Sequence, residues 1–401
     1  MRCLEMNRPM NPQPLPTPAR KWVNVLVIGL FFGLLWLPTL DKCFNLDRSR
    51  SPGENRLPAR FPQLQSPDLA GAQKFIVGLE AYFNDNFGFR KKLIRFFQNW
   101  KIGLYHDRSV FKIIVGQDHW LFWGEAQMVE HFLGTAQFTP AQLSAWQKLL
   151  EKRRDWLAQR GIQYLFVIAP DKQSVYPEQL PAWLINAAPT NRETKLDQFL
   201  KFMKAHSTVP ILDLRGPMIA AKKIAPLYLQ NDTHWNLLGG FVGAQALVQT
   251  LGQQFTNLPP LQMEDFTWTN AAFTGGDMAL MLGTDAVEKN YFALQPKSAL
   301  PRLRSQENPA FPTSWGPKHV LTQENPEASS ISIVLFTDSY GVAWEQCLGY
   351  PFKKTIFLAD NRGFSPQLIT ANQPQIVVNQ MLERFFYNED PEQMLLKDAL
   401  P

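Results

Sequence analysis

Of the six histidines in this 401-residue chain, only His234 has a carboxylate two residues before it, in the string Asn231-Asp232-Thr233-His234-Trp235. In an extended segment residues i and i+2 point the same way. Asp232 can then lie beside the imidazole, fix its tautomer and stabilise the imidazolium, while the other ring nitrogen faces a hydroxyl. Ser339 is the hydroxyl best placed by its context. The apolar run Ile331-Ser332-Ile333-Val334-Leu335-Phe336 leads straight into Thr337-Asp338-Ser339-Tyr340-Gly341, and a helix-like Val342 to Leu348 follows. A serine on a strand-to-helix turn projects its Oγ at the sheet edge and sets its own N–H at a helix start, where an oxyanion can be held. Singly, each residue has a plainer reading: Asp338-Ser339 as a helix cap, Asp232 as the cap of the next helix, His234 as a half-buried histidine. Together they have the makings of nucleophile, base and orienter. A metal centre fits less well, since no second histidine stands at ligand spacing and no acidic cluster accompanies His234. No cofactor is expected.

The segments that must position these residues alternate between helix and strand. Helical spacing covers Leu69 to Phe83 and Arg90 to Leu104, the second basic and aromatic, so that it suits either a packed, half-solvated helix or an anionic lipid surface. Phe111 to Gly116 and Trp120 to Trp123 read as two short strands around a turn. Thr139-Pro140 opens a helix that runs to about Gln159 and is closed by Gly161. Tyr164 to Ala169 is continuously apolar, as in a strand buried on both faces. The alternation continues through helix Glu193 to His206, strand Val209 to Leu212, helix Leu237 to Phe255, and strands at Ile331, Thr355 and Gln375. This pattern predicts an α/β layered domain with a mostly parallel sheet, whose ligands sit at the carboxyl ends of the strands.

The charge of +5 is local, because residues 1–65 hold nine of the 40 Lys/Arg and four of the 35 Asp/Glu, which leaves 31 of each sign in the rest. A nucleic-acid surface would need clustered positive charge, so no nucleic-acid partner is expected. Hydrophobic residues at 45% and charged at 19% exclude a disordered chain, and three cysteines cannot staple 401 residues. Trp22 to Leu40 is apolar except for Asn24, with neither a cleavage site nor the small residues that lipidation of Cys43 would require. Its length predicts an uncleaved single-pass anchor in the cytoplasmic membrane, with the large domain on the periplasmic or extracellular side. A buried core helix is the alternative. The expected organisation is a Pro-rich tail over 1–21, the anchor over 22–40, a stalk over 41–68 and one domain over 69–390, interrupted by a Pro-rich insertion at about 293–330.

Several strings along the chain resemble the SGNH-hydrolase-like domain of the alginate O-acetylation proteins (the AlgJ/AlgX type). They are Phe83 to Arg90 (FNDNFGFR), Val115 to Phe122 (VGQDHWLF), Ala169 to Lys172 (APDK) with Tyr176-Pro177-Glu178, Asp232 to Asn236 (DTHWN), Gly276 to Gly283 (GDMALMLG) and Thr337 to Tyr340 (TDSY). They span roughly residues 70 to 390 in the family's order. The resemblance implies that Ser339 accepts the acyl group, with His234 as its base and Asp232 as orienter, in the chain order Asp, His, Ser. It also implies a polysaccharide acceptor and, as acetyl donor, a multi-span membrane acyltransferase. An SGNH oxyanion hole adds a glycine and an asparagine from later loops, for which Gly363 and Asn379 are the candidates. Trp235, Tyr340 and Trp344 flank the triad and are candidates for stacking on a sugar, although aromatics beside a core more often pack. Two departures stand out: His119 takes a position where the family tends to have glycine, and no carbohydrate-binding module is expected after the domain.

The expected activity is therefore O-acetyl transfer through an acyl-enzyme. An acetylesterase would use the same three residues with water as acceptor. A non-catalytic scaffold of a polysaccharide export complex is the third reading, and the intact Asp232, His234 and Ser339 speak against it.

Overall fold

The apolar run Gln163–Ala169 forms strand β4, second from one edge of a mixed sheet, and carries an alternation of two packed faces. The computed structural model describes residues 17–44, 59–64, 66, 68–89, 92–93, 109–110, 112–125, 127–282, 284, 286–311, 318–359 and 363–400. The chain separates into two compact units, residues 1–100 and 101–401.

In the first unit the run Trp22 to Leu40 lies within the helix Thr17–Phe44, whose large apolar side chains, Leu26, Phe31 and Trp36 among them, are exposed. The expected membrane span, and with it a cytoplasmic-membrane location with the domain on the far side, is corrected. Among the described residues no helix is long and apolar enough to cross a membrane. A second helix, Leu69–Asp85, is capped by Asp68, which accepts the Gly71 N–H. Phe61 packs edge-on against Phe75 and Tyr82 of that helix. Most of the basic helix expected at Arg90 to Leu104 falls outside the described residues.

In the second unit a small antiparallel sheet of β1 (Ser109–Val110), β2 (Ile113–Val115) and β3 (Leu121–Trp123) precedes the main one. The turn between β2 and β3 holds Asp118 and His119 at φ of +48° and +62°, the left-handed region that favours glycine. This explains why a glycine suits the His119 position. The main sheet has the order β5-β4-β12-β10-β11-β9-β8. Its members are β4, β5 (Ile211–Asp213), β8 (Arg304–Phe311), β9 (Lys318–Glu324), β10 (Ser332–Phe336), β11 (Lys354–Leu358) and β12 (Ile376–Leu382). Strands β5, β4, β12, β10 and β11 run parallel, whereas β9 and β8 are antiparallel additions on the β11 side. The polar, Pro-rich stretch marked as an insertion thus contributes two strands to the sheet. Ahead of it, β6 (Phe266–Thr274) and β7 (Val287–Pro296) form a separate hairpin.

The period-two alternation of the central strands gives the sheet its two cores. Tyr164, Phe166 and Ile168 join Val334, Phe336, Val377 and Met381 on one face, under the helices Pro140–Ala158, Lys195–His206 and Pro391–Asp398. Leu165, Val167 and Ala169 join Leu335, Phe357 and Val378 on the other, against the helix Leu237–Gly252 and the residues around Tyr340 and Trp344. Each fully buried Leu, Phe or Val contributes about 1.5–3 kcal/mol. The helix Pro140–Ala158 begins as its sequence predicts, with a Thr139/Gln142 capping box and Pro140 in its first turn.

Candidate active site

Main-chain pairing folds the segment around His234 into a tight bend. Tyr228 and Trp235 form an antiparallel bridge, Leu229 N donates to His234 O at 3.2 Å, and Asn236 N donates to Leu227 O at 2.9 Å. Residues 230–234 between them bend. Asp232 reaches the imidazole through this bend, its Oδ1 accepting the His234 backbone N–H at 3.0 Å, and not through the extended alternation expected. Such a carboxylate-to-backbone bond two residues on is the usual Asx turn. The cap of the following helix is Asn236, whose side chain accepts Gly239 N. Asp232 is left free for the ring. The bend is tied down from two sides: Lys172 donates to Leu121 O and Gln230 O, and Glu288 accepts Asn231 N at 2.8 Å.

Ser339 stands just beyond β10, at the start of a 3-10 helix, Ser339–Gln346. Asp338, next to it, is buried and anchors the turn. Its Oδ1 accepts Tyr340 N at 3.0 Å and the Gln380 side chain at 3.1 Å, and its Oδ2 accepts Leu382 N at 2.6 Å. Burial raises the Asp338 carboxyl against the lowering effect of these donors. The helix Leu237–Gly252 approaches the 3-10 helix at Gly240, where an added Cβ would collide with that of Ala343. Glycine is what permits the two elements to meet.

Their meeting completes a relay. His234 Nε2 lies 2.8 Å from Ser339 Oγ, and His234 Nδ1 lies 2.7 Å from Asp232 Oδ1. Because Nδ1–H donates to the Asp232 carboxylate, Nε2 is the acceptor for the serine hydroxyl. Burial would raise the Asp232 carboxyl. The hydrogen bonds and charge of His234, with the Asp277 N–H, outweigh it and hold Asp232 down to about 2. A second carboxylate, Asp277, stands 3.8 Å from Nδ1, so an acidic neighbour absent from the local sequence does accompany His234. The donor atoms of Asp232, His234 and Asp277 all come within 4.8 Å of one another. Hydrogen bonds to N–H groups, Thr233 and Ser339 already engage them, and these account for the cluster.

The other site candidates fare differently. Trp235 is 3% exposed, and Tyr340 and Trp344 are fully buried; the expectation that they stack on a sugar is corrected, because none presents a face to solvent. They hold loop to loop: Trp235 Nε1 donates to Tyr340 O at 2.9 Å, and the Tyr340 hydroxyl donates to Thr233 O. Asn379 is corrected as an oxyanion donor. It points with Val377 and Met381 to the sheet face opposite the one that packs Tyr340, where its Oδ1 accepts Arg153 at 2.6 Å and its amide lies 3.5 Å from Phe336 O. Its neighbour Gln380 serves the site instead, by holding Asp338. Gly363 is buried beyond β11, while Asn361 and Arg362 before it lie outside the described residues.

Sequence reasoning missed three groups. Asp277 lies within the string Gly276 to Gly283, but nothing local to it points to His234. Asp171 and Arg384 form a largely buried ion pair at 2.5 Å behind Tyr340, with Arg384 5.8 Å from that ring. Asp171 belongs to the APDK string, and only the pairing of β4 with β12 brings it to Arg384.

A relay of carboxylate, imidazole and serine at the carboxyl edge of a largely parallel sheet defines an SGNH-hydrolase-like domain. Residues 113–329, more than half of the chain, match the family described as SGNH hydrolase-like domain, acetyltransferase AlgX, and the chain belongs to that family. The matched segment holds Asp232, His234 and Asp277 and ends before Ser339. Among curated relatives, the probable alginate O-acetylase AlgJ of Pseudomonas putida is 31% identical over 142 residues, 35% of this chain and 34% of the relative. That of Pseudomonas fluorescens is 29% identical over 198 residues, 47% and 45% of the two chains. The chain thus spans between a third and a half of these relatives. In fold it is similar to PatB1 of Bacillus cereus, with a TM-score of 0.53 at 17% identity, over 71% of this chain and 99% of that one.

Proposed function

We propose that the chain is an O-acetyltransferase that carries acetyl on Ser339 and passes it to a hydroxyl of a polysaccharide. The observation behind this reading is the unbroken relay from Asp232 through His234 to Ser339, at 2.7 and 2.8 Å. As Ser339 Oγ attacks the acetyl carbonyl, its proton moves to His234 Nε2; the donor's oxygen then leaves with that proton. An acceptor hydroxyl gives its proton to Nε2 as it attacks the acyl carbon, the Oγ–carbon bond breaks, and Ser339 recovers the proton. Asp232 stays ionised and stabilises the imidazolium in both halves. The Ser339 N–H and the Gly363 region are the proposed oxyanion donors. The names of the AlgJ relatives support acetylation of an alginate-like polymer. The proposed source of acetyl is a multi-span membrane acyltransferase.

The test is a chromogenic acetyl ester given to the purified chain with and without oligosaccharides. We expect an acetylated Ser339 peptide, slow release of free acetate, and faster donor consumption with transfer of acetyl once an acceptor is present. In Ser339→Ala, acetyl release should fall by several orders of magnitude. Losing the Ser339 hydroxyl removes its hydrogen bond to His234 and should cost about 1 kcal/mol of stability. Wild-type rates in that variant would sink the triad, and rapid hydrolysis that no acceptor diverts would make the protein an esterase.

A further inference from the structure

We propose that Asp277 is a positioning residue for His234, a second carboxylate that shapes the 230–234 bend and adds negative charge behind the ring. The inference rests on the triad reading above. Asp277 comes from the start of the short helix Asp277–Met281, 43 positions after His234 in sequence, and its bonds converge on the three residues 232–234. Its Oδ1 accepts Thr233 N at 2.8 Å and its Oδ2 accepts the Thr233 hydroxyl at 2.5 Å. Its own N–H donates to Asp232 Oδ2 at 2.8 Å, the oxygen that the imidazole does not use. Both Asp232 oxygens are thereby fixed, one by the ring and one by Asp277.

Gly276 shows how closely the two segments are joined. It stands at φ +112°, and a Cβ there would collide with Asn231 O. The backbone before Asp277 is therefore pressed onto the residue before Asp232, which an ordinary side chain would prevent.

The Asp277 carboxylate stands 3.8 Å from Nδ1, so its negative charge, like that of Asp232, faces the ring from the Nδ1 side. The other groups around His234 are Asp232 and the Thr233 hydroxyl on its own bend, the latter 3.3 Å from Nδ1, and Ser339 and Tyr340 from the serine turn, the Tyr340 ring centroid lying 5.0 Å away. Behind them stand Lys172, which faces Asp232, Asp277 and Glu288, and Arg384 over Tyr340.

The test is an NMR measurement of the His234 ring protons in the full chain carrying Ser339→Ala, with and without Asp277→Asn. Asparagine keeps an acceptor for Thr233 N and removes the charge. The expected result is loss or broadening of the hydrogen-bonded Nδ1–H resonance in Asp277→Asn and its recovery in Asp277→Glu, which restores the charge. If Asp277→Asn does not fold, Asp277→Ser removes the same charge and takes its place. In the active chain, Asp277→Asn should lower kcat roughly five- to tenfold, the scale of a Coulomb interaction at this separation, with little change in KM. An Nδ1–H resonance unchanged on removing the charge overturns the proposal. Because the resonance needs no turnover, it is read whether or not Ser339→Ala abolishes acetyl release, and that separate result decides the triad.

Discussion

At His234 each ring nitrogen has its own partner, Nδ1 facing Asp232 and Nε2 facing Ser339, and the proposed chemistry depends on that asymmetry. Asp232→Asn keeps the shape of the orienter but removes the charge that fixes the tautomer. We expect it to lower kcat by about 10⁴-fold, as in other triads that lose this carboxylate. Steady-state kinetics with the chromogenic ester, beside a thermal melt to show that the fold survives, would check this; a loss below tenfold would deny Asp232 its role. The same carboxylate links stability to acid. Its folded pKa of about 2 lies below the ordinary 3.8, so its contribution is present above about pH 4 and is lost as pH falls toward 2.

Sheet elements place the site through parity. Along β12, Val377, Asn379 and Met381 face one core, while Val378, Gln380 and Leu382 face the side that carries the serine turn. Asn379 accepts from Arg153, whose guanidinium also forms a fully buried pair with Asp398 at 2.7 and 3.0 Å. This ties β12 to the helices Pro140–Ala158 and Pro391–Asp398. Asn379→Ala leaves that cation short of a partner and should destabilise the chain by about 1–3 kcal/mol. It should leave kcat within a few fold of wild type, whereas loss of an oxyanion donor would cost about 10²–10³ in kcat. Urea unfolding and ester kinetics on one preparation distinguish the two.

Over the whole molecule, the carboxyl edge of the sheet is held by a charged cluster that joins the ends of β4 and β12 to the serine turn. Glu383 accepts Asp171 N and the Tyr387 hydroxyl, Asp171 binds Arg384, and Arg384 lies against Tyr340. Burial first, and the neighbouring Asp171 second, push Glu383 up to about 7 from 4.5. The folded protein thus keeps a proton that the unfolded chain gives up between those values. Stability conferred at this site is full below about pH 4.5 and is lost as pH rises through 7. Glu383→Gln, which holds the uncharged shape at every pH, should flatten the decline in melting temperature across that window. An equal decline in the variant would place its origin elsewhere.

The sequence by itself determined what depends on near neighbours. Strands β4 and β10 follow from apolar runs, the helix Pro140–Ala158 from its cap and proline, and the Asp232/His234 pair from a spacing of two residues. Ser339 was legible because a strand runs directly into it. Only the tertiary structure decided what depends on which distant segments pair. Asp277 reaches Asp232 because its helix packs on the bend. Asn379 turns away because its place in β12 assigns it to the opposite core. The three aromatics became internal struts because helix Leu237–Gly252 closes over them at Gly240. Side-chain type and local spacing carry no record of such contacts, since burial and partner are set by the register and layering of elements far apart in the chain.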